Sequence, residues 1–326
     1  MGGAVLSATV AVPELQVRAF RRRDSPSYSR WLMEEFPEER ETVGYRAESM
    51  ERLIGRAYRP EVRFLLGLLR WFGRPIFSLY FAEWNGQPAG MAFLGFGERS
   101  GFIASVVTDP AYRGRGVASA ILARAHADLR RFRRRYAVLE VLVRNSGARR
   151  LYRKLGYEPI RDLQTYVGAE RTEGSSVGST RIRPWRRDDL PALIRLGERC
   201  TPAKVQEAIP VGRSTFALPM GWAAFEGSGS AGWVIERDAA PAGFFRTTFG
   251  QLSPVGHLSA PVFGEELGES ERRDAVRHAA NTLGRQGAKR VICELPEDLL
   301  DARTTLLSEG FQPAYGSEQM RYAIPR

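Results

Sequence analysis

Residues 106–119 read Val-Val-Thr-Asp-Pro-Ala-Tyr-Arg-Gly-Arg-Gly-Val-Ala-Ser, and this order suits a phosphate group. A strand ends at Thr108, a turn carrying Pro110 follows, and Arg113-Gly114-Arg115-Gly116-Val117-Ala118 opens a helix. Gly114 and Gly116 let backbone N–H groups approach a ligand with no side chain in the way. The helix N-terminus adds unpaired N–H donors and the positive end of the helix dipole. A P-loop would need Gly-Lys-Ser/Thr, which is absent, and a dinucleotide fingerprint would need glycine where Ser119 stands. Arg115 reads equally as a phosphate-side charge and as a solvated one. Downstream, Glu140 sits mid-strand between apolar neighbours, where a carboxylate is unusual unless it is paired or faces a cleft. Asn145 precedes a helical stretch and is placed to cap it.

Around these residues the elements follow in a readable order. Residues 15–20 form a first strand, and helical stretches run to about Arg74, with an apolar-rich one at 62–72. Pro75 breaks that pattern. Strands at 76–84 and 89–96 join through Asn85-Gly86, a hairpin signal, and 101–108 completes the meander. Val117, Ile121, Ala125 and Leu129 share one face of a helix at 116–130. A strand at 136–143, a short helix at 146–155 ended by Gly156, and a last strand near 158–167 complete the unit. His126 lies inside the long helix and is read as non-catalytic. The fold class is α/β (α+β), a mixed and mostly antiparallel sheet flanked by helices.

The unit occurs twice. Segment 137–159, AVLEVLVRNSGARRLYRKLGYEP, aligns without a gap to 291–313, VICELPEDLLDARTTLLSEGFQP. This pairs Glu140 with Glu294 and Gly156 with Gly310. Asn85–Gly90 matches Asp238–Gly243, and Val17-Arg-Ala-Phe-Arg-Arg matches Ile182-Arg-Pro-Trp-Arg-Arg. Three blocks in one order indicate tandem copies of one fold. The expected division is a first domain at 1–170, a Gly/Ser-rich linker at 171–180 and a second domain at 181–326. In the second copy Gly116 becomes Ser270, Ala118 becomes Arg272, and Glu265, Glu266, Glu269 and Glu271 crowd the cradle. Like charges there oppose phosphate binding.

From Arg113 to Tyr157 the first copy resembles the GNAT N-acetyltransferase superfamily. Its pyrophosphate loop, Q/R-x-x-G-x-G/A, is matched by Arg113, Gly116 and Ala118. The likeness continues through Asn145 and Ala148 into Leu151-Tyr-Arg-Lys-Leu-Gly-Tyr157. The resemblance implies acetyl-CoA as co-substrate, no metal, and an amine as acceptor, from a small molecule or a protein. It implies that the backbone of Val106, Val107 and Thr108 holds the pantetheine arm and polarises the thioester carbonyl. N–H groups from Gly114 through Arg115, Gly116, Val117 and Ala118 to Ser119 would hold the pyrophosphate. Asn145 would bind pantetheine, Tyr152 would protonate the leaving thiolate, and Glu140 would be the general base. The second copy, with Leu306 for Tyr152, departs from the pattern at its defining residues. The chemistry is coherent: amine attack on a thioester needs a proton acceptor, donors to the oxyanion and an acid for sulfur. A non-catalytic acetyl-CoA sensor is the alternative.

Composition bounds the rest. The 326 residues carry a net charge of +11; residues 1–170 hold 28 Lys+Arg against 18 Asp+Glu, and residues 171–326 hold 20 against 19. A basic first half suits a polyanionic ligand. The run Arg130–Arg135 is read as a solvated helix end, which disfavours nucleic acid as partner. Two cysteines make no disulfide framework. No apolar stretch reaches the ~18 residues of a membrane span, and residues 1–14 lack a basic leader, so a cytoplasmic location is expected. The apolar stretch 64–72 is read as buried core, with a lid, a homodimer surface or a membrane-touching element as alternatives.

Overall fold

The computed structural model describes residues 14–37, 42, 55–56, 59–169, 180–216, 229–250 and 253–325. The expected linker lies, apart from Thr180, outside the described residues, as do residues 1–13. The first copy contains β1 (Leu15–Ala19), α1 (Ser25–Glu35), α2 (Pro60–Trp71), β2 (Phe77–Trp84), β3 (Gln87–Phe96) and β4 (Ser100–Thr108). It continues with α3 (Val117–Arg131), β5 (Tyr136–Leu142), α4 (Ser146–Lys154) and β6 (Glu158–Ala169). The second copy contains β7 (Arg181–Pro184), α5 (Leu190–Arg199), β8 (Gly229–Arg237), β9 (Ala240–Phe249), β10 (Val255–Ser259) and β11 (Val262–Phe263). After these come α6 (Glu269–Arg285), β12 (Arg290–Pro296), α7 (Leu300–Ser308) and β13 (Gln312–Ala323).

Asn85 and Gly86 adopt φ of 51° and 76°, the left-handed pair that a two-residue hairpin needs. Asp238 and Ala239 repeat it with φ of 50° and 60° and no glycine. The apolar stripe of α3, Val117, Ile121, Leu122, Ala125 and Leu129, packs on one face of the first sheet. Val276, Ala279 and Leu283 of α6 do the same in the second. On the opposite face of the first sheet, Trp31 of α1 meets Phe81, Met91 and Val107.

A buried ionic network is repeated with the fold. Arg18 bridges Asp24 and Glu83 at 2.7 and 2.5 Å, and Arg183 bridges Asp189 and Glu236 at the same two distances. In each case it ties the first strand to the following turn and to the next strand, so the copies correspond down to side-chain pairing.

The two copies share one sheet, in the order β1-β2-β3-β4-β5-β13-β6-β12-β10-β9-β8-β7, with β11 pairing β9. The final strands are exchanged: β13 of the second copy pairs with β5, and β6 of the first pairs with β12. β6 and β13 pair antiparallel at the centre, Leu163 opposite Ser317. These two residues are themselves equivalent under the repeat, so an approximate twofold axis passes between them. Across that join Glu318 of β13 accepts from Arg149 at 3.1 Å and Arg153 at 3.0 Å, both on α4.

The stretch 64–72 is not core. No residue of α2 is buried, and Phe64, Trp71 and Phe72 are 73%, 85% and 69% exposed. Periodicity alone does not say which side of an apolar helix meets protein. α2 is held instead by Arg70, which donates to Asp128 and Ser78 and lies over the Phe132 ring. No described helix is long and apolar enough to cross a membrane.

Candidate active site

β4 and β5 run parallel but pair only from Ser100–Tyr136 to Ile103–Leu139. Beyond that point they part. Ser105, at φ 51°, sits in a bulge that sets Ser105 and Val106 against the single residue Ala92 of β3. Ladder pairing with β3 resumes at Val107 and Thr108. The backbone of 104–108 therefore faces the wedge between the strands, and Glu140 is the first β5 residue beyond the ladder.

The wedge leads to the glycine loop. Asp109 fixes its start: the carboxylate accepts from Ala111 N at 3.1 Å and from Trp31 Nε1 at 3.0 Å, so α1 braces the turn. Gly114 and Gly116 have φ of 76° and 82°, and a Cβ built at either would meet nothing within 4 Å. The N-terminus of α3 has no side-chain cap and no acidic residue in its first turn. Open space, left-handed glycines and uncapped N–H groups together fit a pyrophosphate. Arg113 bonds Glu35 and the Thr108 carbonyl, while the Arg115 guanidinium lies over the rings of Trp84 and Tyr112. Val117 is buried in the core, and Ala118 and Ser119 are half-buried behind it.

The candidate side chains stand at different depths. Asn145 caps α4, its Oδ1 accepting from Ala148 N at 3.0 Å. Tyr152 is buried, packed beside Tyr157, and burial pushes its hydroxyl up to about 12, so it stays protonated at neutral pH. His126 stacks on Tyr322 at 4.4 Å and pairs its Nε2 with the Tyr157 hydroxyl at 2.7 Å. Burial pushes it down to about 4, so it is neutral and structural. Glu140 accepts from Gln319 Nε2 of the exchanged strand at 3.0 Å and is hydrogen-bonded to Glu294.

The model of the acetyltransferase (GNAT) family matches residues 25–157, which contain the wedge, the cradle and all three candidate side chains. Over these residues the first copy is similar to the GNAT acetyltransferase family. Among solved structures it is similar to a tandem GNAT protein from the clavulanic acid biosynthesis pathway, at 14% identity and a TM-score of 0.58 over 96% of this chain and 99% of that one. A GCN5-related N-acetyltransferase from Sphaerobacter thermophilus aligns at 13% identity, TM-score 0.60, over 96% of both chains. A Pyrococcus horikoshii protein aligns at 15%, TM-score 0.57, over 95% of this chain and 89% of that one. These likenesses show that the fold spans both halves. None of the curated proteins matches the chain.

The second GNAT fold is altered wherever the first is open. β10 pairs with β12 through Ser259–Glu294, one pair further than in the first copy, so its wedge starts later. Register through β9 places Pro261 at the position of Val106, which removes a backbone donor. α6 begins half a turn early, and Gly268 N donates to its own Glu271 at 2.7 Å. A carboxylate thus occupies the cap that a phosphate would take.

Sequence reasoning missed Gln319, because only the strand exchange brings it to Glu140. It also missed Pro261, because the offset between copies is 155 through β4 and not the 154 of the aligned blocks 137–159 and 291–313.

Proposed function

We propose that the first domain transfers the acetyl group of acetyl-CoA directly to a primary amine. The observation that carries this is the unpaired β4/β5 wedge that begins at Glu140 and leads to the uncapped glycine cradle. The cradle would hold the pyrophosphate through N–H groups from Gly114 to Ser119. The backbone of Val106, Val107 and Thr108 would line the pantetheine arm and donate to the carbonyl oxygen as charge grows there. Asn145 keeps its amide nitrogen for the same arm.

Glu140 takes a proton from the incoming ammonium, directly or through water. The free amine attacks the thioester carbon; a C–N bond forms and the C–S bond breaks. Two protons leave the nitrogen in all: one restores the Tyr152 hydroxyl after it has protonated the thiolate, and the other passes to solvent by way of Glu140. The raised Tyr152 hydroxyl supports the acid role, since it is protonated at every working pH.

The test is free CoA formation from acetyl-CoA across a panel of primary amines. Tyr152→Phe, which keeps the packing, lowers kcat about 10²-fold and leaves acetyl-CoA affinity unchanged. Acetyl-CoA binding with no CoA formed from any amine would instead support a sensor.

A further inference from the structure

α2 is apolar on both its sides, yet only one of them meets protein. Val62, Leu66, Leu69 and Arg70 are half-buried, and Leu66 and Arg70 face β2 across a cleft. At about 100° per residue, Phe64, Leu65, Leu68, Trp71 and the C-cap Phe72 fall on the other side. All five are exposed, and they are half of the ten large apolar side chains exposed among the described residues. They lie within nine consecutive positions. Apolar side chains exposed singly are ordinary, but a contiguous patch marks a surface that meets something apolar.

Cations border this patch and few anions do. Residues 59–74 hold Arg59, Arg63, Arg70 and Arg74 against Glu61 alone. Arg59 is the N-cap of α2 and Arg74 follows its C-terminus, so an exposed guanidinium stands at each end. The run Arg130–Arg135 contributes five more arginines, and the fold sets it beside the helix. Arg70 and Arg131 both lie over the Phe132 ring, at 4.9 and 5.6 Å. Arg131, Arg133 and Arg135 are exposed there. Of the acids near the run, Asp128 is buried and held by Arg70 and the Tyr80 hydroxyl, and Glu98 interacts with Arg134. The basic run is thus one surface with the apolar helix, a juxtaposition made by a contact 58 residues apart.

Whatever covers this face must be apolar within and anionic at its surface. A second copy docked by the same face would set its arginines against these, which like charge opposes. Nucleic acid would suit the arginines but leave Leu65 and Leu68 unburied. An anionic bilayer meets both demands: acyl chains take the leucines and aromatic rings, and headgroup phosphates take the guanidinium groups at the rim. We propose that α2 is an interfacial anchor that lays this chain on an anionic membrane surface. Phe64, Leu68 and Trp71 enter the lipid, and Arg59, Arg74 and Arg131 sit among the headgroups. The 12-residue helix is about 18 Å long, so it lies along the bilayer and does not cross it. It packs near Asp128 and Phe132, at the end of α3 remote from Gly116, which holds the cradle about 20 Å from the contact. The cradle therefore stays open to water while the chain is docked.

The experiment is co-sedimentation of the full chain with vesicles of phosphatidylcholine alone and of phosphatidylcholine with about one third phosphatidylglycerol. Binding to the anionic vesicles is expected to be roughly 10-fold tighter or more, and to weaken as added salt screens the arginines. Tryptophan fluorescence shifts to the blue on binding, and Trp71→Ser removes most of that shift. Phe64→Ser combined with Trp71→Ser lowers vesicle affinity roughly 10-fold or more, while the urea midpoint and the acetyl-CoA Kd stay at wild-type values, because both side chains face outward. Arg74→Glu with Arg131→Glu, an independent pair, weakens binding to the anionic vesicles alone. Equal binding to both kinds of vesicle, binding to neither, or unchanged affinity in both double variants overturns the inference. A dimer in light scattering that Trp71→Ser dissolves, with no vesicle binding, overturns it in favour of a second copy. Binding of duplex DNA or RNA that anionic vesicles do not displace overturns it in favour of nucleic acid.

Discussion

Glu294 carries a cost that a titration exposes. The folded chain keeps a proton on this carboxyl that the unfolded chain releases near its ordinary value of 4.5. The folded state therefore binds the extra proton between about 4.5 and about 8, and its stability falls as pH rises through that window. Because Glu294 is exposed, solvent screening keeps the slope well below the one-proton limit of about 1.4 kcal/mol per pH unit. Glu294→Gln is expected to flatten the decline between pH 5 and pH 8, as measured by urea unfolding at both values. An unchanged slope would mean that the pair does not share a proton. At this scale the places of Glu140 in β5, Asn145 at the start of α4 and Tyr152 within α4 were legible in the sequence, because strand alternation and helix capping are local signals. The contact between Glu140 and Glu294 was not. The recurrence of a glutamate at the equivalent of Glu140 reads as an argument for structure in a linear sequence, whereas an approximate twofold axis makes equivalent residues into neighbours.

Among the elements, the first strands are secured by the Arg18–Asp24–Glu83 and Arg183–Asp189–Glu236 networks. Both arginine side chains are nearly buried, at 11% and 14% exposed. Removing Arg18 strands two largely buried carboxylates, which costs roughly 3 kcal/mol or more, whereas removing Arg183 leaves Glu236 bridged to Arg181 at 2.9 Å. Both Arg18→Ala and Arg183→Ala are expected to lower the urea midpoint, Arg18→Ala by more, since Arg181 remains on Glu236. A change below about 0.5 kcal/mol in either would contradict the network's buried character. Strands, hairpins and the long helices fell close to their sequence-read bounds, because alternation and the Asn85-Gly86 turn are local signals. The stretch 62–72 did not follow its apolarity inward: Arg70 fastens the helix through Asp128, a contact 58 residues away that no local pattern reveals.

For the whole molecule, the exchanged strands make the domains interdependent. Residues 1–169 alone would leave β5 without its β13 partner and β6 without β12, both in the middle of the sheet. The repeat offers a remedy: two copies of β6 can pair as β6 and β13 do, with Leu163 opposite Leu163. A chain of residues 1–169 is expected to elute as a dimer in light-scattering chromatography, and Leu163→Cys to cross-link it under oxidation. A stable monomer would contradict the interdependence. Two repeated domains were legible from the aligned blocks. Their shared sheet was not, since the exchange depends on which edge each last strand meets, and both edges carry nearly the same pattern.

The central claim is an open cofactor cradle in the first domain and a self-capped one in the second, and calorimetric titration with acetyl-CoA tests it most directly. One site per chain is predicted, abolished by Gly116→Trp, whose side chain fills the open space beside α3, and unaffected by Ser270→Trp. Two sites per chain, or a site that survives Gly116→Trp, would contradict it.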